Sequence, residues 1–479
     1  MFTIVPYWIY CFCAADRMYH DERGLACTTD SLEAVRLFDQ AVRAYLGFRR
    51  DTGNHLKAVL AADPDFALAH CLRGYFFMLF ARRPLAGKAR QCLATAEEAT
   101  TRRGASERER RHFAALDAWT RGHLERAVAA WESILADSPR DVLALRLAHF
   151  MHFYLGDSQR MRDSTARILP AWDPRVPGHG FVLGIHAFGL EESGDYEPAE
   201  RVGRRAVEAN PKDIWAAHAV AHVMEMQNRH REGIAWITDL ASNWSGCNNF
   251  AYHVWWHRAL FHLELENYDT VLDLYDREIR ADKSEEYLDI CNAASLLWRL
   301  ECAGVEVGAR WRELAEKAEP MAQEHMLIFA DLHYAMCLAA GGLEMALAGM
   351  VGSMRRYASQ SEETEARVAE QVGIPLCEAL FAFRRGEYQA ALDLMMPFRY
   401  RIHRVGGSHA QRDIFERLLI LSAFRAERFD IARMLLAERT VARPKSPWTW
   451  KTYASVLDAL HFSDKATEAR GKAAVLLAS

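Results

Sequence analysis

Short turns of one kind recur along this chain of 479 residues. Each reads as a small or polar residue, a polar or aromatic pair, and Ala or another apolar residue five positions on. They stand as "GHLERA" from Gly122, "GDSQRM" from Gly156, "GDYEPA" from Gly194, "HREGIA" from His230, "ENYDTV" from Glu266, "GVEVGA" from Gly304, "GGLEMA" from Gly341, "GEYQAA" from Gly386 and "ERFDIA" from Glu427. Successive starts lie 34, 38, 36, 36, 38, 37, 45 and 41 residues apart. A unit of that length cannot bury its apolar face alone and must stack on its neighbours, so the period constrains the fold more than any other feature.

Between the turns apolar residues recur at three and four, which is helical spacing, and strand signals are few. Each unit therefore reads as an antiparallel helix pair. The Gly ends the first helix in a left-handed cap, and the Ala five on lets the second helix approach closely. Proline then punctuates the unit, seventeen residues on from Gly122 at Pro139 and from Gly194 at Pro211. "GNHLKAVLAADP" from Gly53 reads as a worn earlier unit, which makes about ten hairpins.

The segment "AFGLEESGDYEPAERVGRRAVEANP" (187–211) resembles a tetratricopeptide repeat (TPR) nearly residue for residue, and most other units are stretched by two to eleven residues. The expected fold is all-α: an α-solenoid of TPR-like helix pairs curling into a superhelix over 31–479, after an N-terminal extension, 1–30, that is partly poorly ordered. More specific strings, "YLGDSQRMRDS" (154–164), "RILPAWDP" (167–174), "HAVAHVMEM", "HVWWHRAL" and "SHAQRD" (408–413), together resemble the tetratricopeptide repeat protein 38 family between about Ser31 and Arg443. The resemblance implies a soluble helical-repeat protein without an assigned activity, so no catalytic residue carries over. Residues 1–17 and the tail after about Trp448 fall outside it.

Charge excludes some partners. With 59 Lys+Arg against 64 Asp+Glu the net charge is -5, and no segment supplies the basic footprint of a phosphate binder, so nucleic acid is not an expected partner. The most basic stretch, "TRRGASERERRH", contains Ser106 and Glu109 at the spacing of a capping box. Ten scattered cysteines without a CxxC pair predict reduced thiols and a cytoplasmic protein. The apolar start "MFTIVPYWIYCFCAA" lacks a basic flank and is too short to span a bilayer; Met18 reads as the start of the natural chain, and no membrane partner is expected.

Nucleophile and phosphate motifs (GxSxG, GxGxxG, Walker A, HExxH) do not occur. In "GGSHAQRD", Ser408 reads as a helix cap and Arg412 as the partner of a nearby carboxylate, or the loop binds an anion. Chemistry concentrates instead in the 20 histidines. His218 and His222 lie four apart with Glu225 three further on, and His253 and His257 repeat the spacing. Imidazoles four apart share one helical face and both reach one cation, while Glu225 offers a third ligand or a general base. His253 and His257 precede Glu266 by thirteen and nine, and His218 and His222 precede His230 by twelve and eight. That offset turns the two pairs to different faces and counts against a shared metal.

Three readings stay open for these histidines: a metal site, a polar small-molecule or peptide pocket, or packing. Trp215, Tyr252, Trp255 and Trp256 read as core. Asp331 and His333 join the site if the superhelix curls back on itself. The ligand-binding candidates are thus His253, His257, Trp256, His218, His222, Glu225, Asp331, His333 and Arg412, with His253, His257 and His222 as candidate ligands of a divalent metal. One function is a scaffold whose concave groove binds a protein, peptide or small ligand without turnover. The other is a metal- or histidine-dependent enzyme with its site between the repeats at 215–262.

Overall fold

The computed structural model describes residues 18–478. The expectations for residues 1–17 lie outside the described residues. Helical hairpins follow one another at 32–62, 67–103, 107–137, 142–168, 179–209, 214–240, 250–279, 287–318, 328–360, 364–395, 409–442 and 447–478. The all-α helical-repeat solenoid is as expected, with twelve hairpins among the described residues where the turns suggested about ten.

Every hairpin turn contains one left-handed residue: Phe48, Ala81, Gly122, Gly156, Gly194, Asn228, Glu266, Gly304, Gly342, Gly386, Glu427 and His461. Half are not glycine, and that explains both the missed hairpins and two errors of register. The hairpins at 67–103 and 447–478 turn on Ala81 and His461, which carry no turn signature. The turn placed at His230 is capped by Asn228, and the one placed at Gly341 by Gly342. Gly53 lies inside the helix Thr52–Ala62, one turn after the left-handed Phe48.

Residues 18–30 hold a short hairpin tied to the first repeats. Met18–His20 pairs antiparallel with Ala26–Thr28, and the Thr28 backbone N–H and hydroxyl both donate to the Glu109 carboxylate, at 2.9 and 2.6 Å. Glu109 also closes the capping box on Ser106.

First helices form the inner layer and second helices the outer one. Twelve of the thirteen residues of Ile214–Met226 are buried, as are twelve of the thirteen in Ile328–Ala340, whereas Tyr196–Ala209 buries four of fourteen. A helix that is apolar all round must be covered all round, and an open superhelix leaves its inner wall wet. The chain meets this demand by closing on itself. Arg83 pairs with Glu363 at 2.9 Å and Arg82 with Glu324 at 2.8 Å. The Thr364 N–H donates to the Gly122 carbonyl (2.8 Å), the hydroxyls of Tyr154 and Tyr287 lie 3.0 Å apart, and the His409 N–H donates to Glu192 (3.0 Å). Much of the inner face is therefore core. It falls into two apolar clusters that meet on the helix Phe250–Glu264, which gives Phe250, Val254 and Phe261 to one and Trp256, Leu260 and Leu263 to the other.

Candidate functional site

The helices Ile214–Met226 and Phe250–Glu264 lie side by side in the inner layer. His218, His222, His253 and His257 are all buried and converge, each with a ring nitrogen within 4.8 Å of one from every other. The expectation that the two pairs face apart is overturned, and the reason is register. Measured from the true cap, Asn228, His218 and His222 stand ten and six residues back, so the two pairs differ by three positions rather than one. One position is a rotation of about 100°, whereas three nearly complete a turn.

The hydrogen bonding in the cluster is incomplete. His253 donates from Nδ1 to the Asn292 side-chain oxygen (3.0 Å), which leaves its Nε2 as a lone pair 3.1 Å from the Nε2 of His218. His218 Nδ1 and both nitrogens of His222 and of His257 have no hydrogen-bond partner among the described residues. Phe188 and Phe250 pack on His218, and Trp256 stacks on His253 at 5.3 Å. Burial, then the neighbouring imidazoles, holds His218, His222 and His257 well below the ordinary histidine pKa, and burial lowers His253 to about 4. All four are neutral at pH 7, the state in which imidazole binds a metal.

A second group adjoins the first. Glu191 and Glu192, on the inner helix His179–Glu192, approach the other side of His222, with Nδ1 3.5 Å from Glu191 Oε2 and 3.8 Å from Glu192 Oε1. Glu192 takes the His409 N–H and faces Arg412 at 3.7 Å, but neither oxygen of Glu191 has a hydrogen-bond partner. Burial and the adjoining Glu192 push the Glu191 carboxyl well above the usual carboxylate range. These two glutamates were not among the sequence candidates, although Glu191 stands three before Gly194 just as Glu225 stands three before Asn228.

A cavity of about 520 Å³ opens beside the histidines. Its wall is aromatic, with Phe48, Phe150, Phe188, Trp215, Phe250 and Tyr287 among the lining, and His218, His222 and His253 reach it. Beneath Phe48, Phe150 and Trp215 lies the buried Arg146 guanidinium, 4.2 to 4.8 Å from their ring centroids.

The other candidates lie apart from the four imidazoles. Glu225 is buried with Oε2 unpartnered and its pKa raised to about 7 by burial, facing Arg443, Glu264 and Asp413. His333 bonds through Nδ1 to the Phe329 carbonyl (2.8 Å). Asp331 accepts from His325 Nδ1 (2.9 Å), and His325 Nε2 meets Ser353 Oγ (2.8 Å). That trio has the order of a nucleophile relay, but Ser353 donates to the carbonyl of Met350 in its own helix (2.9 Å) and all three side chains are buried. Arg412 bonds to the Gly407 carbonyl beside the capping box that Ser408 and Gln411 form. Ser408 and Gln411, at the start of the helix His409–Arg425, also line the cavity.

No protein-family model matches the chain. Among solved structures it is similar to the TPR domain of P58(IPK) (13% identity, 77% of this chain and 92% of that one, TM-score 0.22) and to yeast Tom70 (14%, 91% and 96%, 0.33). It is also similar to a human IFIT1 dimer with m7Gppp-AAAA (10%, 94% and 91%, 0.37). At such scores no property of these proteins transfers to this chain.

Proposed function

We propose that the protein holds a transition-metal ion on His218, His222, His253 and His257 and binds a small, largely aromatic molecule in the cavity above it. One observation carries the reading: four buried histidines each offer one ring nitrogen within 4.8 Å of the others, and five of the nitrogens in this cluster have no hydrogen-bond partner among the described residues. An unpaired buried polar group costs about 1–3 kcal/mol, so five in one place are not a packing solution when leucine would serve. All-nitrogen ligation suits zinc, copper, nickel or ferrous iron rather than magnesium or calcium. Asn292 would fix the ring of His253, as an outer partner does for a ligating histidine.

Closure of the superhelix favours a small ligand over an extended peptide, and a cavity of this size and lining suits a molecule of drug-like dimensions. Bound there, a metal supplies Lewis acidity next to the ligand. His218, His222 and His253 face the cavity, and the aromatic wall keeps water from the rest of the molecule. The resemblance to the tetratricopeptide repeat protein 38 family is kept as part of this proposal and brings no reaction with it.

Elemental analysis of the purified protein beside a His253→Ala, His257→Ala variant tests the reading. The expected result is near-stoichiometric zinc, copper, nickel or iron in the wild type and little in the variant. No metal in either, after incubation with each salt, refutes it.

A further inference from the structure

The two groups of ligating side chains share one residue. His222 belongs both to the four-imidazole cluster and to the set Glu191, Glu192 and His222, whose ligand atoms also lie within 4.8 Å of one another. With Nδ1 turned to the carboxylates, Nε2 is the nitrogen left for the other three rings. Neither nitrogen has a protein hydrogen-bond partner.

Distances separate two explanations of the carboxylate side. If Glu191 merely oriented a ligating His222, its oxygen would accept the Nδ1 proton at about 2.7–2.9 Å. It stands at 3.5 Å, with the Glu192 oxygen at 3.8 Å. Ligands bound at about 2.0–2.2 Å around a tetrahedral ion are separated by about 3.4 Å, and the two distances from His222 to the carboxylates lie nearer to that than to a hydrogen bond. Arg412 and the His409 N–H address Glu192, while both oxygens of the fully buried Glu191 stay unpartnered.

Resting on the metal-centre reading above, we propose that His222 bridges two transition-metal ions as an imidazolate, one ion shared with His218, His253 and His257 and the other with Glu191 and Glu192. Forming the bridge releases the remaining ring proton of His222 to solvent, so its two nitrogens each give a lone pair to one ion. His218, His222 and His253 line the cavity, so the ion on the four imidazoles is the one a ligand there would meet, while the ion on Glu191 and Glu192 would lie behind His222.

Copper(II) is the probe. Metal-free protein is titrated with it and followed by equilibrium dialysis and electron paramagnetic resonance, beside Glu191→Gln, Glu192→Gln and His218→Ala, His257→Ala double variants whose folding is verified by circular dichroism. The expected wild type binds two equivalents, and the second suppresses the resonance of the first because imidazolate couples the two spins. The glutamine variant should bind one equivalent with its resonance intact. Two equivalents with additive signals overturn the bridge. A single equivalent in both wild type and glutamine variant overturns the second site but leaves the four-histidine site standing. No copper beyond that taken up by the histidine variant overturns both readings.

Discussion

Gly156 and Gly194 occupy the same left-handed position in consecutive hairpins, with φ +68° and +84°, so the same substitution at the two sites isolates the contribution of ring closure. Alanine at Gly194 meets nothing within 4 Å, and its cost is that of a left-handed L-residue, about 1–2 kcal/mol. At Gly156 the new Cβ falls against the His403 carbonyl group, 2.7 Å from its carbon, and that partner is backbone, from a hairpin far along the chain. The clash adds an overpacking term of about 1–3 kcal/mol, for a total of about 2–5 kcal/mol. With an unfolding entropy of about 2 cal/mol/K per residue, a chain of this length shifts by about one degree per kcal/mol. Gly194→Ala should therefore lower the melting temperature by about 1–2 °C and Gly156→Ala by about 2–5 °C. Amide exchange in Gly156→Ala should rise at both sides of the seam, around 154–157 and 403–407. Equal shifts at the two glycines, with no change in exchange at 403–407, refute the closed ring.

Further outcomes are expected. His257→Ala should weaken metal binding at the four-histidine site, read as a lower metal content by elemental analysis, while its metal-free form melts close to the metal-free wild type. Asp413→Ala removes the carboxylate that faces Arg417 (2.6 Å), Arg439 (2.7 Å) and Arg443 (3.6 Å), and should cost about 3–5 kcal/mol in chemical denaturation because three buried cations lose a shared counter-charge, with Glu264 and Glu416 left to Arg417 and Arg439. Burial, with Asp331, Glu125 and Glu363 nearby, raises Glu365 to about 8, so its protonated form stabilises the fold fully below pH ~4.5 and that contribution is lost as pH rises through 8. Against Glu365→Gln, the wild type should lose stability by about 1.4 kcal/mol per pH unit across that window and stay flat above it; parallel curves refute the assignment.

The repeat was legible where glycine marks the left-handed turn and illegible where Ala81 or His461 takes that position, since a cap built on backbone alone leaves no residue signature. The histidines were legible as two helical pairs. Their convergence was not, because a register taken from His230 instead of Asn228 rotates one helix by more than half a turn relative to the other. Glu191 and Glu192 went unrecognised for a different reason. Two glutamates at the end of a helix carry no sign of burial in the sequence, and here His222 and the helix His409–Arg425, more than two hundred residues away, pack against them. Ser408 and Arg412 did behave as the sequence suggested, one as a cap and the other beside a carboxylate.

Arrays of stacked hairpins usually tolerate the gain or loss of a unit, because each touches only its neighbours. Here the partner of Arg83 is Glu363 and that of Gly122 is Thr364, so the seam matches one unit count and one only. Removing a hairpin between them would leave the ends of the ring facing the wrong residues and would open the histidine floor to solvent. The number of repeats in this chain is thus held as firmly as the identity of a side chain in its core.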